Sequence, residues 1–475
     1  MAVLPRGVIL LAIAAGAAAA CTIGAFSGRA TADGRPMLWK NRDVANPDQE
    51  VHHFTDARYR YVANVYAGES LKVWAGINER GFAIVNSDAH NIGGRDQLDD
   101  GVVMKLALGN CATLEDFAGL MDSLNEVGRD KAGNFGVFDS TGAVAMFEAA
   151  NTFYHRFDAD STGIILRANY AYAGDSNRQV GRNRHDRALE LIGRELAERE
   201  LAVPFITRFL ARDLGQVGFD PYPLPFEGRL GDLPFGFLPT DTTIGRAVTR
   251  SVEVMVGPRP GGPASDGMMW IMLGSPFASI ALPLWVQGGP VPELLDGPGT
   301  ARLCDEAQAL DRHLRSAPGR PGLINTLSLR RALDFFAPLE SLVFARVDSL
   351  ERECGPAGPD SAAAAALTGQ YADELAGLYA RFWRQFDWSA RTNLAEQAAS
   401  ATATVARGVL SLPVPAGATR LVVYDAAGRA ALRAGVAGRS RIELNVGGLV
   451  PGGYHLVFDQ APDRASRYRF VRLPD

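Results

Sequence analysis

Residues that hold metal ions are scarce in this sequence. Its 475 residues include seven histidines and four cysteines, and neither an HExxH nor a CxxC motif occurs. Both motifs set their ligands at the spacing that a bound zinc ion requires. We therefore expect no metal site of the motif type, and we expect no cofactor.

Basic clusters and long apolar runs are also missing. The net charge is −5 and no block of Lys and Arg stands out, which argues against nucleic acid or an anionic membrane as a partner. Beyond the N-terminal region no apolar run approaches the roughly 18 residues of a bilayer-spanning helix. We therefore expect a mature chain without a membrane span. The hydrophobic share of 47% and the charged share of 21% are those of a globular protein.

The N-terminal region has the features of a secretory signal peptide. Arg6 supplies a positive charge, and the apolar stretch GVILLAIAAGAAAA ends in small residues that include Ala18 and Ala20. We predict a signal peptide over residues 1–20, cleavage before Cys21, and a secreted or cell-surface protein.

Cys21 would then be the N-terminal residue, and three interpretations of it stay open. It is an incidental cysteine, a lipid anchor or a nucleophile. Lipoprotein signals prefer Leu or a similar residue three positions before the cysteine, where this chain has Ala18. An N-terminal cysteine joins its thiol to an α-amine whose reference pKa is about 8. That amine can accept the thiol proton without the help of a histidine.

The other cysteines are Cys111, Cys304 and Cys354. An exported protein can form disulfides, and Cys304 and Cys354 bracket a predicted helical stretch. The sequence does not fix the distance between them, so the paired and the free states both stay open.

The segment after Cys21 predicts a β-hairpin. Before the turn signal Asp33-Gly34, Cys21 to Gly28 are mostly small or apolar, and the strand after it, MLWKNRD, ends in charges. Pairing of the two strands would return Lys40 and Asp43 to the side of Cys21. A cation there favours a thiolate, and a carboxylate can hold an ammonium group. A surface hairpin with solvated charges is the simpler alternative.

This pattern resembles the N-terminal-nucleophile hydrolases of the linear-amide type, which include choloylglycine hydrolases, penicillin V acylases, an acyltransferase group and a dipeptidase group. Those enzymes share a mature Cys-Thr, an Asp-Gly hairpin and an Arg-Asn-x-Asp tetrapeptide. Here Cys21 is followed by Thr22, and the tetrapeptide is Lys-Asn-Arg-Asp at 40–43. Lys40 replaces the family's arginine and lacks its bidentate fork. We expect Arg42 to face the other side of the strand and not to substitute for it.

The resemblance implies further site residues. Asn86, in WAGINERGFAIVNSD, matches an oxyanion-hole donor, although a turn residue at a strand end is an equal alternative. Asn169, in RANYA, matches an asparagine that holds the cysteine region and the acyl oxygen. Arg184 matches an arginine that reaches back from the start of the next helix, with Arg182 and Arg187 as rivals. We expect at least two of these three arginines to be solvated.

Five residues outside this set carry structural expectations. Glu148 matches a buried acid of the acyltransferase members, but an edge-strand salt bridge is the favoured interpretation. Ser176 or Asn177 is expected to cap the helix that follows. Trp270 and Trp285 are expected in the core.

The resemblance implies an α+β fold, an αββα sandwich of two stacked antiparallel sheets with helices outside, over residues 21–300. We predict a β-meander from NFGVFD to GIILRANYA, and strands after residue 248 that belong to the second sheet. Residues 301–404 carry apolar residues at helical spacing. They predict an antiparallel pair of long helices that pack on this domain or extend it.

Residues 405–475 predict a small β-sandwich, because polar and apolar residues alternate around glycine turns. The motifs VYDAAGR, LVPGGYHL and RYRFVR resemble the C-terminal sorting domain of the type IX secretion system. The resemblance implies the secretion machinery as a partner and removal of the tail after export. An accessory domain that binds sugar or cell wall is the alternative.

The resemblance implies a secreted hydrolase of linear amides that acts through an acyl-enzyme on Cys21, with acyl transfer as a further possibility. Its substrate would be a small-molecule amide or a short peptide, selected by loops within 44–60, 88–101 and 214–242. A dipeptidase in which Asp43 binds the free amine is one alternative, and a non-catalytic lipoprotein or surface-binding protein is another. The residues implied as catalytic are Cys21, Asp43, Asn169 and Arg184, with Lys40 and Asn86 as orienting residues.

Overall fold

The computed structural model describes residues 21–475 apart from 94–98, 131, 316–319, 321, 386–403, 407–408, 415–416, 426–429, 450–451, 459–465 and 473–475. The predicted signal peptide, residues 1–20, lies outside the described residues. The chain divides into two compact units after Phe382.

The strands of the first unit are β1 (Thr22–Phe26), β2 (Met37–Asp43), β3 (Gln49–Phe54), β4 (Tyr61–Tyr66), β5 (Ala75–Asn78), β6 (Ala83–Asp88), β7 (Gly133–Phe138), β8 (Val144–Ala149), β9 (Tyr154–Asp158), β10 (Ile164–Arg167), β11 (Phe237–Pro239), β12 (Thr249–Val256), β13 (Met268–Leu273), β14 (Leu282–Trp285) and β15 (Leu323–Asn325). The α-helices are α1 (Asp100–Asn110), α2 (Leu114–Val127), α3 (Arg182–Glu198), α4 (Val203–Phe205), α5 (Arg302–Leu314), α6 (Thr326–Cys354) and α7 (Ser361–Gln385).

Two antiparallel sheets form the centre of this unit. Sheet A has the order β10-β1-β2-β12-β13-β14, and sheet B has the order β3-β4-β5-β6-β7-β8-β9. The sheets stack, since β1 and β2 lie against β6 and β7. Helices α1 and α2 cover the outer face of sheet B, where Phe117 packs among Phe82, Phe135 and Phe147. The predicted α+β class with two stacked antiparallel sheets is confirmed.

The predicted β-meander is correct for three strands and wrong for the fourth. Strands β7, β8 and β9 are consecutive in sheet B, but β10 crosses to sheet A and pairs with β1. Alternation of apolar and polar residues marks a strand but does not identify its partner. The crossing has a consequence for the site, because it places Asn169, two residues after β10, beside the start of β1.

Helix α3 begins later than the sequence suggested. Its N-cap is Gly181, with φ of 79° and no side-chain cap hydrogen bond. Ser176 and Asn177 therefore do not cap the helix. The Asp175 side chain accepts a hydrogen bond from the backbone N–H of Asn177, and this local turn competes with helix formation.

Helices α6 and α7 form the predicted antiparallel pair. Phe335, near the start of α6, contacts Phe382, near the end of α7, with ring centroids 5.2 Å apart. Trp270 and Trp285 are buried as predicted, and Trp270 packs against Phe344 of α6. No helix in the described part of the chain is both long and apolar enough to cross a bilayer.

The cysteines are free thiols. Cys304 and Cys354 are therefore not joined, which decides one of the alternatives that the sequence left open. The Cys304 thiol instead donates a hydrogen bond to the carbonyl oxygen of Pro47, with Sγ and oxygen 3.5 Å apart.

The second unit is the predicted small β-sandwich. Its strands are β16 (Thr404–Ala406), β17 (Val409–Pro413), β18 (Arg420–Asp425), β19 (Ala430–Gly435), β20 (Arg441–Asn445), β21 (Gly452–Phe458) and β22 (Ser466–Arg472). They form sheets of order β16-β22-β21-β18-β19 and β17-β20. Leu410 and Ile442 of one sheet share a core with Leu421 and Leu456 of the other. Gly428 and Arg429 of the sorting motif lie outside the described residues.

Candidate active site

Cys21 lies directly before β1 and beside the end of β2. The register pairs Thr22 with Asn41 and Ile23 with Lys40, so the antiparallel pairing brings Cys21 opposite Arg42. The Cys21 Sγ lies 3.9 Å from the carbonyl oxygen of Asp43. The predicted hairpin is therefore confirmed, and it carries the charged residues back to the thiol.

The hairpin connection is longer than a tight turn. Asp33 and Gly34 form its last turn, in which the Gly34 N–H donates to the carbonyl oxygen of Thr31 over 3.3 Å. Gly34 has φ of 74°, a left-handed conformation that glycine adopts without steric cost. Residues 27–36 separate the two strands. Despite this long connection, the strands pair continuously, from Phe26 with Met37 to Thr22 with Asn41.

Lys40 connects the two sheets beneath the thiol. Its Nζ donates to Asn86 Oδ1 at 2.5 Å and to the carbonyl oxygen of Trp74 at 2.6 Å. Burial lowers the pKa of Lys40, and the nearby Cys21 thiol acts in the opposite direction. Lys40 therefore places a buried basic group between β2 and sheet B.

Arg42 shares a face of β2 with Lys40, and the expectation that it faces the other side is wrong. Residues two apart in a strand point to the same side. The structure shows this directly, because Lys40 bonds to Trp74 and the Arg42 guanidinium lies 4.8 Å from the Trp74 ring. Both cations face the space between the sheets.

The Cys21 thiol is buried among charges of both signs. Burial raises its pKa, and the largest opposing influence is Lys40. Asp43 and Asp88 raise the pKa further, while Arg42 lowers it. Burial dominates, so the thiol favours its protonated form and requires a base before it can attack a carbonyl carbon.

Asp43 is buried and both of its carboxylate oxygens accept hydrogen bonds. Thr249 Oγ1 donates to Oδ1 at 2.6 Å, and Arg246 Nη1 donates to Oδ2 at 3.1 Å. Burial raises the pKa of Asp43, and Arg246 and Arg184 counteract that effect. Because its oxygens are occupied, Asp43 holds this end of the hairpin in place.

Arg184 joins the predicted residues into one network. Its Nη1 donates to the carbonyl oxygen of Cys21 at 2.9 Å and to Thr22 Oγ1 at 2.6 Å. Its Nη2 donates to Asn169 Oδ1 at 2.7 Å, and Nη1 lies 4.0 Å from Asp43 Oδ2. Arg184 therefore fixes the backbone of the residue that carries the thiol.

The two alternative arginines, Arg182 and Arg187, do not bond to the Cys21 region. Arg182 is exposed and pairs with Asp186, one turn along the helix. Arg187 is buried and bonds through two nitrogens to Asp213, each over 3.0 Å. The expectation that at least two of the three are solvated is therefore wrong, because a second buried carboxylate is available to Arg187.

Both the oxygen and the nitrogen of the Asn86 side-chain amide form hydrogen bonds. Its Oδ1 accepts from Lys40, and its Nδ2 donates to the Asp100 carboxylate at the start of α1. One of the two Nδ2 hydrogens is therefore committed to Asp100. Asn86 positions Lys40, and one N–H bond is left for another acceptor.

Asn169 lies on the other side of the hairpin end. Its Nδ2 donates to the carbonyl oxygen of Asp88 at 3.3 Å, while its Oδ1 accepts from Arg184. Its backbone N–H donates to the carbonyl oxygen of Val180. These bonds connect the segment after β10 to the end of β6 and, through Arg184, to the start of β1.

Glu148 belongs to the scaffold behind Asn169. It is fully buried and pairs with Arg167, with Nε and Oε1 2.5 Å apart. The backbone N–H groups of Tyr172 and Ala173 also donate to its carboxylate. The expected salt bridge is present, but it lies inside the protein on β8 and not on the edge strand β9.

Sequence analysis missed three acidic or basic residues of the site: Asp88, Asp100 and Arg246. Asp88 lies two residues after Asn86 in the same strand, so strand alternation could have identified it. Arg246 comes from a loop about 200 residues away in the chain. No local motif marks its partnership with Asp43.

One group of side chains in the described residues has the spacing to hold a metal ion, namely Glu50, His52 and Asp296. The His52 Nε2 lies 3.1 Å from a carboxylate oxygen of each acid. These contacts raise the pKa of His52 above its ordinary value, although burial alone would lower it. Contacts of the His52 ring with the two carboxylates account for the group.

Comparisons with known proteins give remote similarities. No known family and no curated protein matches this sequence. A variant of conjugated bile acid hydrolase from Clostridium perfringens is 11% identical over 53% of this chain and 89% of its own, with a TM-score of 0.33. Penicillin V acylase from Agrobacterium tumefaciens is 14% identical over 56% of this chain and 86% of its own, with a TM-score of 0.36.

A third solved structure is the Caenorhabditis elegans ortholog of N-acylethanolamine-hydrolyzing acid amidase. It is 12% identical over 51% of this chain and 94% of its own, with a TM-score of 0.33. At these TM-scores and sequence identities, the likeness does not assign the chain to a family. The geometry of the site is therefore the basis for a proposal about the function of the chain.

Proposed function

We propose that this chain is the precursor of an exported cysteine amidohydrolase that cleaves a linear amide C–N bond through an acyl-enzyme on Cys21. The observation that supports it is the position of Cys21 at the start of β1. Lys40 lies on the side of the thiol, and Arg184 binds the carbonyl group of the same residue. Removal of residues 1–20 would convert this position into a free amino terminus.

The proposed base is the α-amine of Cys21 itself. The thiol has a raised pKa because it is buried, so it needs a proton acceptor within reach. A new amine on the same residue supplies one, with a reference pKa of about 8. The thiolate attacks the amide carbon, and the amine passes the proton to the leaving nitrogen. Water then releases the acyl group, or a second amine accepts it.

The surrounding residues have distinct proposed roles. Lys40 favours the thiolate, and Arg184 and Asp43 keep the hairpin end in place. The oxyanion that forms on the carbonyl oxygen would accept hydrogen bonds from the Nδ2 groups of Asn86 and Asn169 and from backbone N–H groups. One such donor typically contributes about 3 kcal/mol to transition-state stabilisation.

Export and processing are part of the same proposal. The signal features of residues 1–20 and the sorting motifs of residues 405–475 support a Sec-exported precursor that uses a type IX route. A lipid on Cys21 would acylate the amine that the chemistry requires. A lipoprotein and an enzyme of this kind are therefore mutually exclusive.

The test replaces Cys21 by Ala and by Ser and measures turnover of a panel of linear amides. We expect Cys21→Ala to reduce turnover at least about 1,000-fold, with an unchanged circular dichroism spectrum. Cys111→Ala, which removes another buried thiol, is the matched control and should retain activity. Full activity of Cys21→Ala would refute the proposal.

A dipeptidase is the second candidate, and Asp88 favours it. The charges of Asp43 and Asp88 both act on the Cys21 thiol, but both oxygens of Asp43 are occupied by Thr249 and Arg246. A free substrate amine would therefore be bound by Asp88 and not by Asp43. Hydrolysis of dipeptides, with no hydrolysis of their N-acetyl derivatives, would establish this alternative.

A further inference from the structure

The Arg42 side chain has hydrogen-bonding capacity that no described residue uses. The residue is 1% exposed, yet its Nε and Nη2 have no hydrogen-bond partner. Its Nη1 donates to Gln49 Oε1 at 2.7 Å. A buried guanidinium with one bonded nitrogen is costly unless something else occupies the remaining donors.

The surroundings of Arg42 occupy its planar face and one of its nitrogens. The guanidinium carbon lies 4.3 Å from the Tyr66 ring centroid and 4.8 Å from the Trp74 ring centroid. These rings cover the planar face of the group, and Gln49 takes Nη1. The edge formed by Nε and Nη2 remains, and two parallel N–H bonds on one edge match the two oxygens of a carboxylate.

Neighbouring groups on both sheets also lack partners. On sheet B, Trp74 Nε1 and both amide atoms of Asn64 have none. On sheet A, the Ser251 hydroxyl lies close to the Glu253 carboxyl, and neither group has a further partner among the described residues. Ser251 pairs with Arg42 across the strands, and Glu253 pairs with Lys40, so all face the space between the sheets. Such a concentration of unpartnered buried groups is unusual in a folded protein.

The charged and titratable groups that face this space or act on it are Arg42, Lys40, Glu253, the Cys21 thiol, Asp88 and Asp100. No ion pair joins Arg42 to Glu253 among the described residues, which would have been the simplest use of both. Burial raises the pKa of Glu253, although Lys40 and Ser251 oppose the effect. The Arg42 guanidinium carries a positive charge and has no ion-pair partner among the described residues, so its free edge favours an anion.

We propose that the Nε–Nη2 edge of Arg42 binds a carboxylate of the substrate, with Trp74 and Asn64 as additional hydrogen-bonding groups. This inference rests on the proposed amide hydrolysis at Cys21 and names the substrate class of the same site, linear amides that carry a carboxylate near the scissile bond. The carboxylate can belong to the amine part or to the acyl part, and the two sources are distinguishable.

The test uses two matched pairs of substrates with the exported wild-type protein. In the first pair, N-hexanoylglycine is compared with N-hexanoylglycinamide, which lacks the carboxylate on the amine part. In the second pair, glutaryl-p-nitroanilide is compared with pentanoyl-p-nitroanilide, which lacks it on the acyl part. We expect kcat/KM to be about 10- to 100-fold higher for the charged member of one pair, as is usual for a charged hydrogen bond.

The variant Arg42→Gln should abolish this preference. Because Arg42 also acts on the thiol, the diagnostic quantity is the ratio of kcat/KM for charged and neutral members, and not the absolute rate. The ratio should fall to about one, mainly through KM. Lys72→Gln, which removes a cation from the chain segment that carries Trp74, is the control and should keep the ratio.

Equilibrium binding separates this inference from the proposed chemistry. The Cys21→Ala protein should bind the charged member of the preferred pair at least tenfold more tightly than the neutral one by calorimetry, and Arg42→Gln should remove the difference. Turnover without any carboxylate preference would overturn the inference and leave the proposed function intact. Carboxylate-dependent binding without turnover would support the inference about Arg42 and refute the proposed hydrolysis. The absence of both the binding preference and turnover would refute both proposals.

Discussion

The two faces of strand β2 differ sharply at the end beside Cys21. On one face, Asn41 donates to the carbonyl oxygens of Ala211 and Ile244 and accepts from Trp39, and Asp43 has a partner for each oxygen. On the other face, Arg42 leaves two nitrogens without partners. The side-chain polar atoms of Asn41 and Asp43 thus all have partners, whereas those of the adjacent Arg42 do not.

The difference distinguishes side chains that hold the backbone in place from side chains that can contact a substrate. A buried network in which every polar group is bonded rigidifies the backbone, and removal of one member leaves the others without partners. A buried group without a partner stabilises nothing by itself, and it has a use only when a ligand supplies the missing bonds. We infer that the Asp43 face positions the hairpin and that the face with Lys40 and Arg42 meets the substrate.

The largest expected effect is that of removing Arg184, which tests whether the Asp43 face stabilises the fold. Its replacement by Met leaves the Cys21 carbonyl, the Thr22 hydroxyl and the Asn169 amide without a donor. We expect the free energy of unfolding to fall by about 3–5 kcal/mol, the usual cost of breaking a buried charged network. Urea denaturation measures it. Arg182→Met on the exposed side of α3 is the control, and equal effects of the two would contradict the account.

Lys40 provides a test of the chemical face. The charge of Lys40 is the largest influence that lowers the pKa of the Cys21 thiol. Lys40→Met should therefore shift the titration of the thiol upward and slow its alkylation by iodoacetamide at neutral pH about tenfold. An alkylation rate that is unchanged across the pH range would show that Lys40 does not act on the thiol.

The stability of Arg42 variants sharpens the contrast with Arg184. Arg42→Met removes a desolvated charge that makes one hydrogen bond, and it also removes the contact with two aromatic rings. These effects oppose each other, so the free energy of unfolding should change by less than about 1 kcal/mol. A loss as large as that of Arg184→Met would mean that Arg42 belongs to the scaffold.

The smallest expected effect concerns His52, which lies in β3 of the first unit. The contacts with Asp296 and Glu50 outweigh the burial of His52 and raise its pKa, so the folded state holds this proton more tightly than the unfolded state. The stabilisation is fully present below the unfolded pKa of about 6.5 and is lost as pH rises through the folded pKa.

His52→Gln should therefore lower Tm more at about pH 5.5 than at about pH 8.5, by about 1 °C. Differential scanning calorimetry at the two pH values makes the comparison. A larger loss at the higher pH would reverse the assigned sign and exclude the ion-paired imidazolium.

The sequence predicts local features of the site well. The apolar strand, the turn signal and the charged strand after it establish the hairpin, and the register then brings Lys40 and Asp43 to Cys21. Arg184 and Asn169 follow from the resemblance, and the structure joins them by a hydrogen bond. The side of the strand that Arg42 occupies follows from alternation alone, and the expectation made for it was an error in applying that rule.

Other features depend on contacts between distant segments. The pairing of Asp43 with Arg246 and Thr249 depends on how β2 aligns with β12, and the pattern within either strand does not specify that alignment. The transfer of β10 to sheet A has the same cause, since a strand pattern is compatible with several partners. Arg187 is buried because Asp213 approaches it from a separate loop.

The mass of the N-terminal peptide of the exported, active protein tests the central claim most directly. The account predicts that this peptide begins at Cys21 with an unmodified amine and a free thiol, and that brief incubation with an amide substrate adds the acyl group to that residue. An active protein that begins elsewhere, or that carries a diacylglyceryl group on Cys21, would contradict it.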